Sequence, residues 1–79
     1  MSESIEITYF AEWNYLPEAD RVLAEIKDRF PGIEIIKVAS GGGVFDVCHG
    51  GVIVFSKGGV NRFPHPGECA RLIAARIEH

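Results

Sequence analysis

From Leu16 to Phe30 the apolar residues Leu16, Ala19, Val22, Leu23, Ile26 and Phe30 recur at three- and four-residue steps. That is the period of a helix with one apolar face. Asp20, Glu25, Lys27, Asp28 and Arg29 mostly occupy the other side. Pro17 sits where a first helical turn tolerates it, and Glu18 and Asp20 complement the positive end of the dipole. Phe30-Pro31-Gly32 ends the helix, because proline cannot continue it. A stripe of this kind has to be buried against another layer, and strand-like runs flank it on both sides. Ahead of it, residues 5–10 read Ile-Glu-Ile-Thr-Tyr-Phe, with Ile5, Ile7 and Tyr9 on one face and Glu6, Thr8 and Phe10 on the other. Behind it, residues 33–39 form a β-branched run. A right-handed crossover makes these two strands parallel.

The remainder reads as a hairpin followed by a second helix. Ser40-Gly41-Gly42-Gly43 is a loop shaped by glycine, and residues 44–49 alternate, with Phe45 and Val47 on one face and Val44, Asp46 and Cys48 on the other. Gly50-Gly51 is a hairpin turn signal, which makes the third and fourth strands antiparallel. Residues 52–55, Val-Ile-Val-Phe, are apolar throughout and read as an interior or well-covered strand. Residues 56–61 read as a polar, glycine-bearing loop, and residues 66–78 as a helix with Cys69, Leu72, Ile73 and Ile77 on its inner face. Two single-striped helices cover one face of a four-stranded mixed sheet. The expected fold is an α/β two-layer sandwich in the order β-α-β-β-β-α.

Length bounds what such a chain can do. Seventy-nine residues support one core, so residues 1–79 are expected to be a single domain. An apolar content of 47% excludes the disordered class. At this size burial barely exceeds an ordering cost of roughly 1.5 kcal/mol per residue, which leaves little for a large cavity. No cofactor is therefore expected. The net charge of −3 comes with no Lys/Arg cluster to neutralise phosphates, so nucleic acid is not the expected partner. The opening Met1-Ser2-Glu3-Ser4 has no positive n-region, and no apolar run approaches the about 18 residues of a membrane span. Cys48 and Cys69 form neither a CxxC nor a disulfide framework, in keeping with a cytoplasmic address.

The run Ile5-Glu6-Ile7-Thr8-Tyr9, then Asn14-Tyr15-Leu16, Phe30-Pro31, Gly42-Gly43-Val44-Phe45-Asp46-Val47, Ser56-Lys57 and Arg62-Phe63-Pro64 follow one another in an ordered spacing. Together they resemble the selenoprotein W-related (Rdx) family of thioredoxin-like proteins over nearly the whole chain. The resemblance implies the thioredoxin-like fold and a link to cell redox homeostasis. In that family a cysteine follows the first strand, and a second cysteine or selenocysteine stands three positions later. A thiol there meets the positive end of a helix, which favours the thiolate, and its partner one turn away resolves a mixed disulfide. Here the two positions are Phe10 and Trp13, in Phe10-Ala11-Glu12-Trp13. Neither side chain exchanges disulfides, so no catalytic residue is assigned and the family's enzyme activity is not expected to carry over.

Two readings of Phe10 and Trp13 stay open: a filler for the space of a redox pair, or a partly exposed patch that anchors an unknown protein partner. The binding reading takes Phe10, Ala11, Glu12, Trp13, Gly42, Gly43 and Phe45 as contact residues. Glu12 and Asn14 flanking Trp13 favour its exposure. The rival is a thiol-dependent redox or glutathione-linked protein acting through Cys48. His49 follows Cys48, but strand neighbours point to opposite faces, so the imidazole is badly placed to take the thiol proton. Cys69 reads as a packed hydrophobe, with the sheet between it and Cys48. His49, His65, His79 and the two cysteines match no zinc spacing, so no metal is expected. Gly41-Gly42-Gly43 precedes a strand rather than a helix and reads as a turn, not a phosphate cradle. Asp46 and Glu12 read as solvated acids. The helix-free sheet face should carry Glu6, Thr8, Phe10, Val44, Asp46 and Cys48, either as a tolerated surface or as the contact of a homodimer.

Overall fold

The structure is a computed structural model that describes residues 4–13 and 15–77, apart from the Trp13 side chain. The chain runs β1 (Ile5–Phe10), a 3-10 turn (Ala11–Trp13), α1 (Leu16–Arg29), β2 (Ile35–Ser40), β3 (Phe45–His49), β4 (Val52–Ser56), α2 (Lys57–Val60) and α3 (Glu68–Ile77). The strands form one sheet in the order β2-β1-β3-β4. β1 and β2 are parallel, as the crossover rule requires, while β1–β3 and β3–β4 are antiparallel. Gly50 and Gly51 take φ values of 58° and 85°, the left-handed pair that a tight hairpin demands.

Residues paired across strands share a face. Ile5, Ile7, Phe45, Val47 and Phe55 are buried on one side, where they meet Ala19, Val22 and Ile26 of α1 and Cys69, Ala70 and Ile73 of α3. His49 also faces the helices, nearly fully buried, and its Nδ1 accepts a hydrogen bond from Arg76 Nε at 3.1 Å. The opposite face carries the row Ile36, Glu6, Cys48, Ile53 and beside it Val38, Thr8, Asp46, Ser56. Face-to-face self-association there would have to desolvate the Glu6 and Asp46 carboxylates.

Several expectations need correcting. Residues 52–55 are not an interior strand: β4 closes the sheet edge, and Val52 and Ile53 are exposed. A continuous apolar run marks a strand without saying which strands lie beside it. Residues 56–61 are not all loop, because α2 forms a single turn ended by Asn61 in the left-handed conformation, with φ 65°. Its N–H donates to the Lys57 carbonyl at 2.6 Å. Leu16 and Ile77 are exposed at the outer ends of their helices, and Ala70 and Ala74 complete the inner face of α3 instead. That helix starts at Glu68, whose carboxylate accepts the His65 N–H at 2.9 Å. Its expected end at Glu78 lies outside the described residues. Phe10 does not stand on the open face. The alternation ends where β1 enters the turn, and its ring is buried at 8% exposure.

Candidate functional site

Phe10 is held between the two ends of the glycine loop. In the parallel register it lies beside Ser40, and its N–H donates to the Val44 carbonyl at 2.9 Å. The loop of Gly41, Gly42 and Gly43 therefore arches over the end of β1, next to the turn that begins α1. Gly42 and Gly43 both have φ near 75°, which a side chain would strain. The fold thus brings together two segments about thirty residues apart in sequence.

Beneath these segments runs a line of aromatic rings. Phe10 meets Tyr15 edge-on at 6.0 Å, Tyr15 meets Phe63 at 4.8 Å, and Phe63 meets Phe45 at 5.3 Å, with interplanar angles of 81–86°. Such edge-to-face contacts put the positive ring edge against a negative face. Tyr15 occupies the N-cap position of α1, and Phe63 lies between α2 and α3. Lys57, the first residue of α2, places its ammonium 5.7 Å from the Tyr15 ring and 5.4 Å from the Phe63 ring. Arg62 covers Phe55 at 5.6 Å and donates to both carboxylate oxygens of Glu68, at 2.8 and 3.0 Å. That pair, first, and the His65 N–H, second, hold the Glu68 carboxyl at about 2, well below the usual carboxylate range. The segment 62–64 is also tied to α1, because Arg21 donates to the Pro64 carbonyl at 2.6 Å as well as to Glu18 and Glu25.

Of the residues expected to contact a partner, Ala11, Glu12 and Gly42 are exposed and Gly43 is half-buried. Phe45 is fully buried in the core and Phe10 nearly so. These two support the surface from below instead of contributing to it, because the strand face each occupies is filled by other rings. The expected exposure of Trp13 concerns a side chain outside the described residues, as do Asn14 and His79. Tyr15, Lys57 and Phe63 were not legible as members of the site. Asn14-Tyr15-Leu16, Ser56-Lys57 and Arg62-Phe63-Pro64 stood out as sequence features, but nothing local says that three separate segments converge.

The two thiols are placed apart. Cys69 is fully buried among core residues, and burial above all pushes it up to about 12. Cys48 is half-buried on the open face, paired across from Glu6. Burial, and then the charges of Asp46 and Glu6, raise it above the ordinary thiol range. Neither environment favours a thiolate. His49 lies on the other face of the sheet from Cys48, as strand alternation requires. Among the described residues no group of three or more histidine, cysteine or acidic side chains gathers as a metal site would need, and no helix is long and apolar enough to cross a membrane. A shallow groove of about 340 Å³ follows the β4 edge, lined by Ile53, Phe55, Val60 and Leu72 among others, and none of the rings above except that of Phe55 under Arg62 borders it.

The Rdx family description matches residues 4–75. The fold is that of a Bordetella parapertussis protein of known structure, with a TM-score of 0.90 and 20% identity, covering 98% of this chain and 100% of that one. A selenoprotein W-related protein from Vibrio cholerae aligns with a TM-score of 0.88 and 22% identity, over 98% of this chain and 99% of its own. No curated protein matches the chain.

Proposed function

The chain belongs to the Rdx family, and from that premise we propose that it is a family member without the redox dithiol, serving in the cytoplasm as a non-catalytic protein-docking module. The docking surface is the exposed turn of Ala11 and Glu12, continued by Trp13, together with Gly42 and Gly43. One observation carries this reading. Where the family resemblance places the first cysteine, this chain has Phe10, buried edge-on against Tyr15. A ring locked into a line of rings is a built feature of the fold, and no thiolate can form there. The remaining thiols do not replace it, since burial and two neighbouring carboxylates disfavour ionisation of Cys48 and burial disfavours that of Cys69.

The test places a photo-crosslinking benzophenone side chain at position 12 or, as a control, at the exposed position 28 of α1, in lysate of the native host. A discrete adduct is expected from position 12 and not from 28, and Ala11→Asp should reduce it without changing the far-ultraviolet circular dichroism. Equal labelling from both positions would refute the docking surface. Rapid uptake of glutathione by Cys48 from glutathione disulfide at neutral pH would instead establish the thiol-dependent alternative.

A further inference from the structure

We propose that the docking surface recognises an acidic segment of its partner, and that Lys57 is the residue that receives the partner's carboxylate. This rests on the docking reading above and adds the chemistry of what docks. Several of the chain's cations are already paired within it. Arg21 bonds Glu18 and Glu25, Lys37 bonds Asp20 at 2.6 Å, Arg62 bonds Glu68, and Arg76 bonds His49. Lys57 is half-buried and has no carboxylate or hydrogen-bond acceptor among the described residues; its described interactions are with the faces of Tyr15 and Phe63.

Ring faces attract an ammonium but accept no conventional hydrogen bond, so a carboxylate can still take its N–H donors in place of water. They also fix where the charge stands. An exposed lysine on a free stem loses rotamer entropy when it pairs, which is why isolated surface pairs contribute little. Lys57 has already lost part of that freedom against two rings, and partial burial leaves it less screened than a fully solvated charge. It is a placed cation with no carboxylate partner among the described residues, in a chain whose net charge is −3. Lys57 stands 5.7 Å from the Tyr15 ring, which in turn lies 6.0 Å from the Phe10 ring, and Phe10 lies under the turn and the glycine loop. A partner segment lying across that turn reaches Lys57 with an aspartate, a glutamate or a terminal carboxylate.

The experiment uses the full chain and two defined probes, a capped penta-glutamate peptide and its penta-glutamine counterpart. Glutamate peptide should shift the Tyr15 and Phe63 ring resonances and the Lys57 ε-methylene in nuclear magnetic resonance spectra, and glutamine peptide should not. A water-soluble carbodiimide should then join glutamate peptide to Lys57 about fivefold more than to the exposed Lys27, a ratio that corresponds to one modest charge pair. Equal coupling at Lys57 and Lys27, or ring shifts of the same size with glutamine peptide, would overturn the proposal. The position-12 adduct separates this inference from its premise. Lys57→Met should reduce that adduct while Lys57→Arg and Lys27→Met retain it. An undiminished adduct in Lys57→Met overturns the acidic partner and leaves docking standing. Absence of any adduct from the unmutated chain removes docking and this inference together.

Discussion

Phe63 is the ring on which the candidate site turns, and replacing it tests whether the aromatic line is a cooperative support. It touches Tyr15 on one side and Phe45 on the other, and carries Lys57 above its face. Phe63→Ala removes a half-buried side chain, for which the transfer contribution is about 1 kcal/mol. Two edge-to-face pairs add about 1 kcal/mol each, and the ammonium contact about 0.5 kcal/mol. These contributions overlap, so the expected loss is about 3 kcal/mol, a large fraction of the stability of a domain this size. In a thermal scan that corresponds to a fall in Tm of about 12–24 °C. Phe63→Leu keeps most of the apolar area but loses the ring geometry, and should cost about 1.5–2 kcal/mol. Urea denaturation followed by circular dichroism measures both, with the slope unchanged if only packing is altered. A cycle with Tyr15→Ala should give a coupling of about 0.5–1.5 kcal/mol. A cost below about 1 kcal/mol for Phe63→Ala, or equal stability of the alanine and leucine variants, would refute a cooperative aromatic support.

Arg21→Met should destabilise the fold by about 1–2 kcal/mol in urea titration, because the bond to the buried Pro64 carbonyl is lost along with two carboxylate partners. Glu68 has a depressed carboxyl, so its stabilisation is present above the ordinary carboxylate range and lost as pH falls toward about 2; Glu68→Gln should flatten the acid limb of a stability-versus-pH curve in that window. Cys69 is displaced the other way, up to about 12, so its neutral form favours the fold and that contribution fades as pH rises from about 9 toward 12. In alkylation followed by intact mass at pH 8, Cys48 should react slowly and Cys69 only on unfolding. Asn61→Gly should be tolerated or mildly stabilising and Asn61→Ala should cost about 1 kcal/mol, since position 61 is left-handed.

Much of the architecture was legible because it is written in short-range periods and turn chemistry. The stripe of Ala19, Val22 and Ile26, the stop at Pro31 and the hairpin of Gly50 and Gly51 each follow from residues within a few positions of one another. With the handedness of strand–helix–strand crossovers, they determine the element order, the parallel pairing of β1 with β2 and the two-layer arrangement. The lateral order of strands is different in kind. Whether Val52 and Ile53 meet solvent depends on nothing lying beyond β4, which no local pattern records. The site belongs to that second class. Phe10 alternates like any strand residue in the sequence, but its ring is buried edge-on against Tyr15, which meets Phe63 and through it Phe45, a line of rings drawn from separate segments. Lys57 was a polar residue in a supposed loop until α2 and Phe63 set it over two rings. Periodicity determines which face an element buries, whereas convergence of distant side chains is a property of the folded chain alone.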